Sequence, residues 1–449
     1  MGRNVARRGV AVACAAALAT SGCSTVGSLF GSGQPQGKPG YVGGFIGAVV
    51  ADEPQAALIG RSTLAAGGDA ADAVVAMAYT LAVTLPSRAS LGAGGGCLAF
   101  SPDRKAPGGG VPQAILFPSH PGGGGAQAGA VGDRPAAVPM LPRGMYLLHA
   151  NYGRMNEAQL IAPAERLARL GAPMSDALEH DISVVAGPLA GDPQARSVFF
   201  DNGAPLPPGA AMVQPALAAT LARIRVDGVG AFYTGREARR FAEAATSVGG
   251  GITAQAMQAA IPTMAPATVL PARGNDSVAF LPMDGGAAAR LWQQAGGNPA
   301  AMHAIGADRP ASTTFGAVDR QGNAVVCAVS LNNLFGTGRI APGTGVMLAA
   351  SPATMPAPLL SAAIAFNPNL PAFRALAGGS GQQGAPAAAA AAIGQALDDT
   401  ASPAHPQPGA VPDPGRANVI ACTRYLPGSP GSCGWAVDPR GQGLALGGG

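Results

Sequence analysis

Residues 310–345 constrain the fold more than any other stretch. Two apolar, β-rich runs, Phe315–Asp319 and Ala324–Leu331, flank Asp319-Arg320-Gln321-Gly322-Asn323. Gly and Asn tolerate positive φ, so the five residues between the runs form a turn and the runs pair as a hairpin. Three hydroxyl residues, Ser312, Thr313 and Thr314, stand at the head of its first strand. If the chain is cut just before a Ser or Thr, the freed α-amine, with a pKa near ~8, can accept that residue's hydroxyl proton. The hairpin is therefore either a plain β-ribbon or the carrier of a nucleophile with a built-in base.

The remaining sequence provides a large, weakly charged body. Among 449 residues there are 67 Gly and 41 Pro, only 12% are charged, and the net charge is +4. This composition suits a globular chain rich in turns and small-residue packing. No basic stripe with interleaved aromatics occurs, so no nucleic-acid partner is expected. The five histidines are scattered and no Cys/His spacing suits zinc, so neither metal nor cofactor is expected.

The N-terminus reads as a targeting segment. Arg3, Arg7 and Arg8 precede the apolar run Gly9–Ala19, which is too short to span a bilayer. Gly22-Cys23 then resembles a lipoprotein cleavage site, with Cys23 lipidated; a plain secretory signal is the alternative. Either reading implies export, here to the periplasmic side of a Gram-negative envelope. Membrane contact is then through the lipid anchor alone. Residues 1–23 are assigned to the signal and 24–45 to a Gly/Ser/Pro tether. Cys97 and Cys327 lie in apolar runs and are expected as buried small hydrophobes. Cys422 and Cys433 lie in a Gly/Pro-rich segment, where a disulfide closing a short loop is expected.

From residue 46 onward, helical and extended segments alternate. Gln55–Ala66 and Ala70–Leu81 have helical spacing, with Asp69 as the cap between them. The glycine run in Leu85–Phe100 lacks the Lys-Ser/Thr of a phosphate loop and reads as turns entering a strand. A strand is expected at Ala114–Phe117. Asn156 should cap a short helix ending at Leu160, and Pro163 should start another, Ala164–Leu170.

These segments, in order, resemble the γ-glutamyltransferase family of N-terminal-nucleophile hydrolases. The resemblance rests on Glu53-Pro54, Gly67-Gly68-Asp69-Ala70-Ala71-Asp72-Ala73, Gly94-Gly95-Gly96, Tyr152-Gly153, Ala162-Pro163-Ala164, Phe232-Tyr233 with Gly235, the hairpin, and Asp438-Pro439-Arg440-Gly441. It implies an α+β fold, a four-layer αββα sandwich, made as one chain that cuts itself. Residues 46–311 would form the large-subunit-like region and 312–449 the small one. The implied substrate is a small γ-glutamyl or related amide, hydrolysed or transferred to an acceptor.

The family spacing counts back seven from Asp319 to Ser312, whereas residue type favours Thr313; both stand as nucleophile candidates. By the same resemblance, Ser330 is the second hydroxyl near the nucleophile, and Asn332 and Ser361 are substrate ligands. Gln382 and Gln383 would supply oxyanion-hole N–H groups in place of a glycine pair. Two departures stand out. Ala114–Pro121 contains neither the Arg nor the Glu that holds a glutamyl carboxylate, leaving Arg88, Arg104 or Arg134 to substitute, with Arg88 beside the glycine run as the site candidate. Leu348–Thr354 has no acid for an α-ammonium. A non-catalytic envelope protein that keeps the fold is the competing expectation.

Overall fold

A computed structural model describes residues 44–124, 134–304, 311–398 and 411–448. The signal, the tether and Cys23 lie outside the described residues. Thirteen strands build two antiparallel sheets: β1 (Gly47–Ala51), β2 (Gly94–Phe100), β3 (Gln113–Phe117), β4 (Thr263–Pro266), β5 (Thr268–Pro271), β6 (Ser277–Phe280), β7 (Thr313–Asp319), β8 (Ala324–Ser330), β9 (Ser361–Asn367), β10 (Ala372–Ser380), β11 (Arg416–Leu426), β12 (Cys433–Val437) and β13 (Leu444–Gly447). The first sheet runs β4-β3-β2-β8-β7-β1-β13 and the second β5-β6-β9-β10-β11-β12. The expected hairpin is β7–β8, and it occupies the middle of the first sheet.

Period-two alternation gives each sheet two apolar faces. Val318, Val326, Ala328, Leu98 and Val50 pack against Ile364, Leu376 and Ile420 of the second sheet. Helix α1 (Pro54–Ala65) and helix α2 (Ala70–Thr84) cover the other face of the first sheet. Helix α2 is buried at all fifteen positions, as a helix apolar all round must be. On the far side, the alanine-rich helix α6 (Ala385–Ala396) packs on β9, β10 and β11, and its small side chains permit close approach. The layers are therefore α, β, β, α, the α+β sandwich expected from the sequence.

Local chemistry fixes the helix ends. Glu53 accepts from the N–H groups of Gln55 (3.0 Å) and Ala56 (2.9 Å), and Pro54 lies in the first turn of α1. Asp69 and Asp72 form a reciprocal capping box at the start of α2. One expectation fails. Glu157–Leu170 is a single helix, α3, that continues through Pro163. Its buried stripe, Leu160, Ile161, Ala164 and Ala168, runs unbroken across the proline, and that burial outweighs the one backbone bond Pro cannot make. Helix α4 (Asp176–Ala190) follows and is not foreseen in the sequence. Helix α5 (Ala287–Ala295) packs against α6.

Segments from before and after residue 311 are interleaved rather than side by side. In the first sheet the hairpin β7–β8 lies between β2 and β1, both from residues before 311.

The cysteines differ in part from expectation. Cys422 and Cys433 pair directly across β11 and β12 in a disulfide. Cys97 and Cys327 are fully buried, but they are not free hydrophobes: they are joined by a disulfide between β2 and β8. The strand register causes this, since it sets the two residues opposite one another on the helix-facing side.

Candidate active site

Strand parity separates the three hydroxyl residues. Val318 faces the second sheet, so Gly316 and Thr314 share that face; a Cβ added at Gly378 would meet the Thr314 Cβ at 2.7 Å. Thr313 points to the opposite side. Ser312, one residue before the strand, lines a cavity of about 780 Å³ between the end of the sheets and helix α4. Its Oγ is buried and has no hydrogen-bond partner among the described residues. The Thr313 hydroxyl is committed: it donates to Asp52 Oδ2 at 2.9 Å.

Ser330, at the end of β8, lies across from this point. Its hydroxyl donates to the carbonyl oxygen of Ala311 at 2.6 Å. That carbonyl belongs to the peptide bond immediately before Ser312. The Asn332 N–H donates in turn to Ser330 Oγ at 2.9 Å, so the serine hydroxyl is oriented toward the carbonyl. Asn332 has φ +58, in the left-handed region, and its side-chain amide donates to the Ala350 carbonyl at 2.8 Å. It anchors the 348–351 segment and does not line the cavity.

Two residues that the sequence did not single out hold the start of β7. Asp52 follows β1. Besides the Thr313 hydroxyl, its Oδ2 accepts from the Thr314 N–H at 3.0 Å, and its Oδ1 accepts from Asn418 Nδ2 at 2.8 Å. Asn418 on β11 also donates to the Thr314 carbonyl and Oγ1. Asp52 and Asn418 thus tie the two sheets together one residue after Ser312, and both line its cavity. These partners are 261 and 366 residues apart in the chain. The only local hint is a polar residue placed between an apolar strand and Glu53-Pro54.

The turn Gly381–Gly384 leads from β10 into α6. Gly381 has φ +94 and packs its backbone against the Pro414 carbonyl, where a Cβ would meet the oxygen at 2.5 Å. Gln382 also takes a left-handed φ, +54, despite its side chain. As the first residues of a helical turn, Gln382 and Gln383 have N–H groups with no carbonyl preceding them in the helix. Gln382 lines the cavity. The Gln383 Oε1 is buried without a partner among the described residues.

The walls carry charge, but much of it is internally matched. Arg88 binds Asp181 of α4 through Nε (2.8 Å) and Nη2 (2.6 Å), and Ser87 Oγ donates to the same carboxylate at 2.6 Å. Burial lowers the Arg88 pKa, but the Asp181 charge, the hydrogen bonds to Asp181 and the Asp52 charge together more than offset this and hold the guanidinium above its ordinary value. Arg440 grips Asp438 with Nε and Nη2, and Arg416 donates to the Pro414 and Gly415 carbonyls. Asp52, Asp176, Glu179 and Asp438 supply carboxylates around the same space. Of the three arginines weighed from the sequence, only Arg88 lines the cavity; Arg104 donates to Asn369 O and Arg134 to Thr337 O. Ser361, expected as a substrate ligand, lies away from this space. It is fully buried, donates to Asp284 at 2.8 Å, and does not border the cavity. The loop from β6 toward α5 that carries Asp284 claims its hydroxyl.

The family model for gamma-glutamyltranspeptidase matches residues 56–295. The glutathione hydrolase proenzyme of Bacillus subtilis is 31% identical over 217 residues, covering 46% of this chain and 37% of that protein. The capsule biosynthesis protein CapD proenzyme of Bacillus anthracis is 30% identical over 197 residues, covering 44% and 35%. The chain thus spans little more than a third of the length of these curated relatives. In three dimensions it is similar to the cephalosporin acylase of Bacillus halodurans, with a TM-score of 0.71 at 18% identity, over 92% of this chain and 98% of that one. That likeness concerns the fold, and the matched sequence carries the assignment: this chain belongs to the gamma-glutamyltranspeptidase family.

Proposed function

We propose that the protein is a self-processing amidohydrolase or acyl transferase acting on γ-glutamyl or related small amides, with Ser312 as its nucleophile. One observation carries the reading. Ser312 lines the cavity and its buried Oγ has no partner among the described residues, while the carbonyl just before it already accepts a hydrogen bond from Ser330. Attack of Oγ on the Ala311 carbonyl carbon forms the new C–O bond, and the C–N bond breaks as the amide nitrogen takes the proton. Ser330 steadies the developing negative charge on the Ala311 oxygen. Water then hydrolyses the ester, leaving an Ala311 carboxylate and a Ser312 that bears both hydroxyl and α-amine. The amine serves as the base for the next attack, on a substrate amide. The N–H groups at Gln382 and Gln383 are the donors suited to its oxyanion. The leaving amine departs with a proton, and water or an acceptor amine takes the acyl group.

Thr313 is less suited, because its hydroxyl is bound by Asp52 on the opposite face of the strand. Intact-mass spectrometry after full reduction of the disulfides decides the point. Wild type is expected as two fragments divided at 311/312; Ser312→Ala stays whole, and Thr313→Ala still divides. Division before Thr313, or an uncut wild-type chain without amidase activity, overturns the reading.

Export is part of the same proposal. It is supported by Arg3, Arg7, Arg8, the run Gly9–Ala19 and Cys23, and by two disulfides of a kind that persists in oxidising compartments. The same mass spectrum reads signal removal and lipid on Cys23.

A further inference from the structure

We infer that the Cys97–Cys327 disulfide is a covalent tether between the two fragments of the processed protein. The inference rests on the proposed cut at 311/312, since Cys97 then belongs to one product and Cys327 to the other. The pair lies on adjacent strands of the first sheet, Cys97 on β2 and Cys327 on β8, in direct register. Both residues are fully buried under the helix layer. The second disulfide, Cys422–Cys433, lies wholly within the later fragment and cannot serve this purpose.

The tether is placed where the cut matters most. Strand β8 pairs with β7, whose first residues follow the new terminus, and β8 ends in Ser330. Cutting at 311/312 frees one end of β7, while the cross-link three residues before Ser330 still fixes β8 against β2. The register that faces Ser330 toward the terminus is thereby retained. Formation of the bond removes two protons and two electrons from the paired thiols. A disulfide-bearing exchange catalyst takes them and is itself reduced to a dithiol. Burial under the helices means that this exchange precedes or accompanies folding, before the sulfurs are enclosed.

The test uses the full-length protein, purified without reductant, with free thiols blocked by N-ethylmaleimide. On a denaturing gel it is expected to run as one species, and to resolve into two after treatment with dithiothreitol. Cys327→Ser, and separately Cys97→Ser, should give two species without any reductant. Cys422→Ser should remain one species until it is reduced. Two fragments from unreduced wild type overturn the tether and leave the processing reading standing. One species both with and without reductant overturns processing. The cross-link is then judged by peptide mapping, and absence of a linked peptide carrying Cys97 and Cys327 overturns it as well.

Discussion

At the scale of single residues, hydroxyl groups of the same kind are sorted by their partners. Thr313 and Ser330 both donate hydrogen bonds, one to a carboxylate and the other to the carbonyl before Ser312. Ser312 lines the cavity, and its buried hydroxyl has no partner among the described residues. Ser330→Ala removes the donor to the Ala311 oxygen. Loss of one preorganised oxyanion donor costs on the order of 10²–10³ in rate. A time course of freshly refolded precursor should therefore show cleavage slowed by about that factor, with the cut position unchanged. Cleavage at wild-type rate would remove Ser330 from the mechanism. In the sequence, spacing favours Ser312 and residue type favours Thr313, so both stand as candidates. Asn332 and Ser361 were legible as polar positions, but not as residues committed to Ala350 and Asp284.

At the scale of elements, the junction of α2 with the β7–β8 turn holds an unusual concentration of buried acid. Asp69 and Asp72 cap each other, and Asp319 accepts from the Ala70 N–H at 3.2 Å. Burial, followed by the neighbouring carboxylates Asp72 and Asp319, pushes the Asp69 pKa up to about 7 from 3.8. Burial likewise raises Asp319, against the hydrogen bonds it accepts from Asn323 and Ala70. A carboxyl whose folded pKa is raised holds its proton more tightly when folded than when unfolded. Its stabilising contribution is complete below the unfolded value and is lost as pH rises through the folded one. Thermal melts of wild type should therefore lose stability between about pH 4 and pH 7. Asp69→Asn, which cannot ionise, should flatten that slope; an unchanged slope would assign it to other groups. The Asp69 cap was legible in the sequence, because the N–H it satisfies lies three residues on. The approach of Asp319, 249 residues away, was not. Pro163 shows the converse error: a reliable local rule was overridden by a buried stripe that continues past it.

At the scale of the whole molecule, the two regions share one sheet, so cutting the chain does not divide the fold. The hairpin keeps partners from the earlier region on both sides. With the Cys97–Cys327 bond intact, unfolding of the processed protein remains an event within one molecule. In a Cys97→Ser/Cys327→Ser double variant it becomes a dissociation, so its stability depends on concentration. Tenfold dilution should cost the processed variant about 1.4 kcal/mol, and the processed wild type nothing, in denaturant titrations without reductant. Equal sensitivity to dilution in both proteins would mean that the strands alone hold the fragments. The cavity also bears on substrate choice at this scale. Arg88 is held by Asp181 and Arg440 by Asp438, which fits the absence of the expected Arg and Glu from Ala114–Pro121.

The sequence by itself determined the hairpin, its turn, the caps of α1 and α2, the alternation that makes a layered fold, and the trio of hydroxyls at one strand head. All of these follow from residue type and from spacings of two to four, which act over a single turn or strand. Tertiary structure alone decided which hydroxyl is free, which arginine reaches the cavity, and that Cys97 is bonded to Cys327. Those outcomes depend on what packs opposite each face. Asp52 meets Thr313, Asn418 meets Thr314, and Cys97 meets Cys327 only because strands hundreds of residues apart are brought into register.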